Sequence, residues 1–338
     1  MRFIVTVVTL LAVAAHADAL LDTAKASFKP LPKQFDSKDN AITADKVALG
    51  KLLFFDTRLS KNHDLSCNSC HDLAKYGVDG EQFSTGHKKQ KGGRNSPSVY
   101  NAGSHIAQFW DGRAGTLEDQ AKGPVLNPVE MALKDGPAVE AMLKSIPGYP
   151  PLFAKAFGGE KDSSVTFDNM AKAIGAFERT LVTPSRFDTY LGGDEKALTD
   201  AEKKGLSTFI SAGCLGCHMG EGVGGAMFQK LGLVAPVPGL KDLGRFEATK
   251  KDADKFFFRV PSLRNVAKTA PYLHDGTLKT LPETVVFMGK YQLGKELKKD
   301  EVDSIVTFLN ALTGELPKDI TPPKALPSGK ATPKPDPS

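Results

Sequence analysis

Two five-residue segments, Cys67-Asn68-Ser69-Cys70-His71 and Cys214-Leu215-Gly216-Cys217-His218, consume all four cysteines of this chain. No thiol is left for a disulfide or a separate nucleophile. Cys-x-x-Cys-His is the spacing of c-type haem attachment, in which the two thiols add across the vinyl groups of one haem and the adjacent imidazole ligates its iron from one side. A zinc site assembled from both motifs is the rival use of these residues. The placement of a histidine directly after the second cysteine, twice, favours haem. The chain is therefore expected to carry two covalently bound haem c groups.

With 338 residues, 41% hydrophobic and 25% charged, there is material for two compact domains of ordinary size. Met1-Arg2, the apolar run from Phe3 to Ala15 and the small-residue stretch ending at Ala19 read as a signal peptide over residues 1–19. The run is too short to span a bilayer, and no stop-transfer pattern follows it. Export to the periplasm is the expectation, with no membrane span. The formal net charge of +5 is spread over a long chain with no dense Lys/Arg block, which gives no indication of nucleic acid as a partner. Residues 316–338 are rich in Pro and Lys. They read as an extended tail whose first part packs on the N-terminal domain and whose last dozen residues hang free.

Between these ends the pattern predicts a mainly α fold with few short strands. Thr199-Asp200-Ala201-Glu202 has capping-box spacing and opens a helix through Leu206, Phe209 and Ile210 that leads to the second motif. Ile42, Val47, Leu49 and Leu52 form a comparable lead-in to the first. Asp168–Leu181 and Glu301–Leu312 are also expected to be helical, and the best strand candidate is Phe256–Val260. The chain repeats itself as well. Pro97-Ser98-Val99-Tyr100-Asn101, Trp110-Asp111-Gly112 and Thr116-Leu117 follow the first motif, and Pro261-Ser262-Leu263-Arg264-Asn265, His274-Asp275-Gly276 and Thr277-Leu278 follow the second. This predicts two cytochrome c-like haem domains related by duplication, over 20–183 and 184–315.

The element after each Asp-Gly is expected to cross the open face of its haem. In the second half it delivers Met288, in the first Glu130 and Met131. A haem closed by His and Met sits at raised potential and suits electron transfer, whereas an exchangeable sixth position can bind a small oxidant. Met288 has ample chain to reach the face opposite His218. Met219 is tied beside that histidine and cannot, while Met227 remains a rival. On the first haem, His87 lies in a loop containing Gly77, Gly80, Gly86, Gly92 and Gly93, free to swing toward or away from the iron. Met131 competes for the same position.

Gly86-His87, Gly93-Arg94-Asn95-Ser96-Pro97, Gln108-Phe109-Trp110-Asp111-Gly112-Arg113, Asn127-Pro128-Val129-Glu130-Met131, Arg259-Val260-Pro261-Ser262-Leu263-Arg264-Asn265 and Ala270-Pro271-Tyr272-Leu273-His274-Asp275-Gly276 form a specific set. Along nearly all of its mature length the chain closely resembles the bacterial dihaem cytochrome c peroxidases of the CCP/MauG superfamily. The resemblance implies that the haem on His71 is the low-potential peroxidatic one and His87 its removable distal ligand. The haem on His218 and Met288 is then the high-potential one, fed by a small cytochrome c or cupredoxin. Glu130 matches the distal acid, required because hydrogen peroxide splits heterolytically only if a proton passes from one oxygen to the other. Gln120 matches its neighbour in the pocket, and Trp110 a residue between the haems. Asn95 with the carbonyls of Thr269 and Pro271 matches a calcium site, oxygen-only ligation that suits a hard cation. His274 and Arg259 match interface residues, and His63 and His105 receive no role. Family members are often homodimers.

Two alternatives stay open. A MauG-like maturase, which oxidises a protein, carries Tyr as the second haem's distal ligand, and Tyr291 lies near Met288. A non-enzymatic dihaem electron shuttle would need neither Glu130 nor a mobile His87.

Overall fold

The computed structural model describes residues 19–330 and 332–336. The signal-peptide expectation therefore lies outside the described residues, Ala19 excepted. Among the described residues no helix is long and apolar enough to cross a membrane.

The fold is mainly helical. Its helices are α1 (19–27), α2 (Ala44–Phe55), α3 (Cys67–Cys70), α4 (Leu117–Leu126), α5 (Gly136–Ser145), α6 (Tyr149–Phe157), α7 (Phe167–Glu178), α8 (Arg186–Leu191), α9 (Asp200–Ala212), α10 (Phe246–Thr249), α11 (Leu281–Leu293) and α12 (Lys299–Ala311). The strand β1 (Phe228–Lys230) pairs antiparallel with β2 (Phe257–Arg259), the core of the segment expected to be extended. The expected capping box opens α9: the Thr199 side chain accepts from the N–H of Glu202, whose carboxylate returns to the Thr199 N–H at 2.8 Å.

Two apolar cores are built on similar helix pairs. In the first, α2 packs on α7, and a Cβ at Gly50 would run into the Ala173 carbonyl. In the second, α9 packs on α12, and a Cβ at Gly205 would meet the Ser304 carbonyl. Both pairs thus close to backbone contact at a glycine, which brings each Cys-x-x-Cys-His segment against its own core.

The partition by sequence departs from the packing at its N-terminal end. Leu21, Ala24 and Phe28 of the first segment belong to the second core, where the Phe28 ring meets Phe187 edge-on at 5.3 Å. An amphipathic helix buries its apolar face where a complementary aromatic surface exists, regardless of chain order. At the other end, Leu316 and Ile320, in the first part of the tail, pack on the first core. Nor does the tail end there: Arg58 donates to the Pro327 carbonyl at 2.8 Å, and the N–H of Asp336 to the Asn62 carbonyl at 2.7 Å. The last dozen residues, expected to hang free, include these contacts because a Pro-rich segment already extended loses little entropy on docking.

The two cores meet at one buried hydroxyl. Asn101 and Asn265, both with left-handed backbone (φ 58° and 61°), donate their side-chain amides to Thr183 Oγ1 at 2.7 and 2.8 Å.

Candidate active site

A cavity of about 370 Å³ opens beside α3 and is lined by Cys67, Cys70, His71, Gln120, Glu130 and Met131 among others. The single turn of α3 projects both thiols toward it, and the His71 N–H returns to the Cys67 carbonyl at 2.9 Å. Burial pushes the Cys70 thiol up to about 11 and Cys67 higher still. Thiols that resist ionisation are poor metal ligands, whereas a thioether carries no charge that burial would penalise. Burial also lowers the His71 imidazole, so it is neutral at physiological pH, the form that ligates iron.

Glu130 is positioned by a turn that the local sequence dictates. Helix α4 contains Pro124 and ends at Asn127, whose side-chain oxygen accepts from the Val129 N–H at 3.0 Å, an Asx turn. The same amide donates to Glu130 Oε1 at 2.9 Å. Burial raises the Glu130 carboxyl above its ordinary range, and the Arg113 charge and the Asn127 hydrogen bond oppose that rise. Arg113 is itself fixed, stacked over the Phe109 ring at 3.4 Å and paired with Asp111 at 3.0 Å. Asn127 and Arg113 had no role in the sequence reading. The Asn-Pro-x-Glu spacing was the available signal.

His87 is not brought into this group. Its side chain is buried at 6% exposure, yet it is Ser84, Gly86, Gly92 and Gly93 of its loop, and not His87, that line the cavity. The loop is pinned beside Glu130 instead: the His87 N–H donates to the Glu130 carbonyl at 2.8 Å, and a Cβ on Gly86 would strike the Val129 carbonyl. Beyond the glycines, Arg94 anchors the chain through two bonds to Asp242 at 2.7 and 2.8 Å and one to Asp111 at 2.6 Å.

A second cavity, about 220 Å³, is lined by Cys214, Cys217, His218 and Met288. His218 Nδ1 lies 3.2 Å from the Val223 carbonyl, which orients the ring and leaves Nε2 for a metal. Burial lowers this imidazole to about 4. Met288 reaches the cavity from α11, whereas Met219, Met227 and Tyr291 are not among its lining residues. The chain separation that relates Asn101 to Asn265 and Thr116 to Thr280 relates Pro124 to Met288. A residue without a ligating atom therefore stands in the first half where the second has a thioether, and Pro124 lines the first cavity.

Asn95, Thr269 and Pro271 all line the second cavity. The Asn95 amide N–H bonds the Glu81 carbonyl at 2.8 Å, turning its Oδ1 the opposite way.

The cavities share a wall that includes Asn95, Trp110, His105 and Arg259. Trp110 donates to the Asn95 carbonyl at 2.9 Å and meets His274 edge-on at 6.3 Å. Arg259 is 2% exposed with Nη1 unpartnered, and burial alone lowers its guanidinium to about 10. A buried cation without a carboxylate is costly, and a bound group bearing carboxylates would relieve it. Paired thiols, neutral imidazoles and this orphaned guanidinium fit haem c, whose only ionised peripheral groups are two propionates.

A family model described as di-haem cytochrome c peroxidase matches residues 44–196. The cytochrome c551 peroxidase of Pseudomonas aeruginosa is 49% identical over 327 residues, covering 95% of this chain and 94% of that protein. The cytochrome c551 peroxidase of Nitrosomonas europaea is 47% identical over 296 residues, 87% of each. The crystal structure of a MauG-like protein associated with microbial copper homeostasis superposes with a TM-score of 0.73 at 31% identity, over 85% of this chain and 94% of that one.

Proposed function

Since the chain belongs to the di-haem cytochrome c peroxidase family and is a haem-dependent peroxidase acting on hydrogen peroxide, we propose that its two sites divide the work, the first as reactor and the second as electron reservoir. The observation that carries this reading is the asymmetry of the distal groups: Met288 in one cavity, Glu130 beside Pro124 in the other.

Each haem, held by Cys67, Cys70 and His71 or by Cys214, Cys217 and His218, supplies a redox-active iron when bound, and a His-Met set on the second raises its potential. Axial ligands separate haem potentials by up to about 0.8 V. Glu130 takes a proton from one oxygen of peroxide and delivers it to the other, which departs as water. Its raised affinity for protons suits that relay, and such a group contributes about 10² to 10⁴ in rate. Asn127 aims the carboxylate, Arg113 keeps it ionisable, and Gln120 supplies an amide to the same pocket. His87, withdrawn from the cavity while its N–H holds the Glu130 carbonyl, reads as the displaced form of a removable ligand, with Gly86, Gly92 and Gly93 as the hinge. Trp110 in the shared wall assists electron passage between the sites. Calcium at Asn95 and the carbonyls of Thr269 and Pro271 would stiffen that wall. Matching caps, turns and helix pairs in the two halves support descent by duplication of one haem unit.

The donor is a small cytochrome c or cupredoxin, the former in keeping with relatives named for cytochrome c551. The mature protein acts in the periplasm as a homodimer. Met288 at the second cavity, with Tyr291 elsewhere, disfavours the MauG-like reading.

Electron paramagnetic resonance of the oxidised and half-reduced holoprotein tests the division. One signal should change from low to high spin on half reduction, then respond to peroxide. Two sites that both stay six-coordinate and low-spin, with no turnover in excess reductant, would refute it.

A further inference from the structure

The two haem cavities share a wall, and in that wall stand two donor groups that no atom of the described residues satisfies. One is Arg259 Nη1; the other is the His105 imidazole, both of whose ring nitrogens are buried without a hydrogen-bond partner. We propose that His105 is a positioning residue which, with Arg259, holds a haem propionate at the junction of the two sites. This inference rests on the dihaem reading.

Haem c is bound at its vinyl edge through the two cysteines, and its propionates leave from the far edge. Cys67 and Cys70 line only the first cavity, and Cys214 and Cys217 only the second, while His105 and Arg259 line both. The shared wall is thus away from both thioether edges, where carboxylates would arrive. Among the described residues no carboxylate pairs with Arg259, whose guanidinium is shifted by burial alone. Gln108, whose amide N–H bonds the Ala102 carbonyl at 3.0 Å, neighbours the His105 ring, but neither ring nitrogen meets it in hydrogen-bond geometry.

The ring is held rather than loose. A Cβ on Gly225 would press on its carbon edge, and the N–H of the next residue, Ile106, donates to the Gly225 carbonyl at 2.9 Å. The glycine-rich turn after His218 therefore closes on His105 and fixes the imidazole in the wall. A buried polar group left unsatisfied is costly, so two of them in one shared cavity wall point to a ligand that satisfies both.

A donor to a propionate disperses negative charge near the iron and favours the reduced state, one of the outer-shell levers on potential. The test is spectroelectrochemical titration of holoprotein carrying His105→Phe, His105→Asn or His105→Gln. Asn offers an amide near Nδ1, and Gln offers one near Nε2. The expected result is a more negative midpoint for at least one haem in the Phe variant and recovery toward wild type in Asn or Gln. Unchanged midpoints in the Phe variant overturn the proposal, as does an equal shift in all three, which would mean packing alone. If the Phe variant does not load haem, His105→Leu takes its place and is read the same way. Haem content of the wild type, by pyridine haemochrome, is scored separately: fewer than two per chain would sink the dihaem reading itself.

Discussion

The N–H of His87 donates to the carbonyl of Glu130 at 2.8 Å, so the loop bearing His87 and the turn bearing Glu130 are locked backbone to backbone. In the proposed scheme, displacement of the histidine and presentation of the acid are then coupled. Gly86 makes the contact possible, because any side chain there would meet the Val129 carbonyl.

Gly86→Ala should unseat the loop. Overpacking of this kind costs about 1–3 kcal/mol, enough to lower kcat/KM for peroxide about tenfold or more while both haems still load. Stopped-flow turnover beside a haem count checks it; unchanged turnover would show that the loop does not need this seat.

Glu130→Gln should cost about 10² to 10⁴ in kcat/KM for peroxide and leave reduction of the second haem by donor intact. Because burial raises the wild-type carboxyl, the acidic limb of its rate profile should lie above the ordinary glutamate value near 4.3. The base form is lost as pH falls through that limb. Asn127→Ala removes a hydrogen bond to the charged form and should move the limb to still higher pH. A limb that persists unchanged in Glu130→Gln would assign it to another group.

Met288→Leu should lower the potential of the second haem and slow turnover at limiting donor. Magnetic circular dichroism should lose its thioether-to-iron signature. Retention of that signature would reopen the case for Met227, whose backbone carbonyl bonds the Val260 N–H at 2.9 Å but whose side chain is off the cavity.

Glu178 lines the first cavity with Oε2 unpartnered, and burial, reinforced by Glu118, pushes it up to about 8. A carboxyl raised on folding stabilises the protein fully below its unfolded value and loses that contribution as pH climbs through the folded one. Stability should therefore fall between the ordinary range near 4.5 and about 8, by at most about 1.4 kcal/mol per pH unit for the one proton. Urea denaturation of wild type and Glu178→Gln across this window measures it. Identical slopes in the two proteins would contradict the assignment.

Thr183→Val leaves the amides of Asn101 and Asn265 buried without their acceptor. Each orphaned group costs about 1–3 kcal/mol, and the loss should appear as a lower denaturation midpoint with haem content preserved. A midpoint equal to wild type would mean that the seam is held elsewhere.

Some of this was open to reading from the chain alone, for a physical reason. Thioether attachment needs its thiols and imidazole within about one turn, so Cys67 to His71 and Cys214 to His218 declare it in five residues each. Helix starts are equally local: Thr199 and Glu202 meet across one turn whatever the rest of the molecule does. Met288 was legible as a candidate through its place in the repeat, though only packing separated it from Met227.

What the tertiary structure decided are the pairings between distant segments. Asn127 aims Glu130 by a local turn, but only docking of the His87 loop shows what that turn holds. The first helix fills the second core, and the tail crosses back to Arg58, because apolar and hydrogen-bonding surfaces recruit whichever segment fits them. His105, a lone histidine by sequence, stands out only where two cavities meet around it and both its ring nitrogens are left without a hydrogen bond among the described residues. Covalent chemistry is written in neighbouring residues; the partition of solvent, charge and unsatisfied donors exists only once the chain has closed.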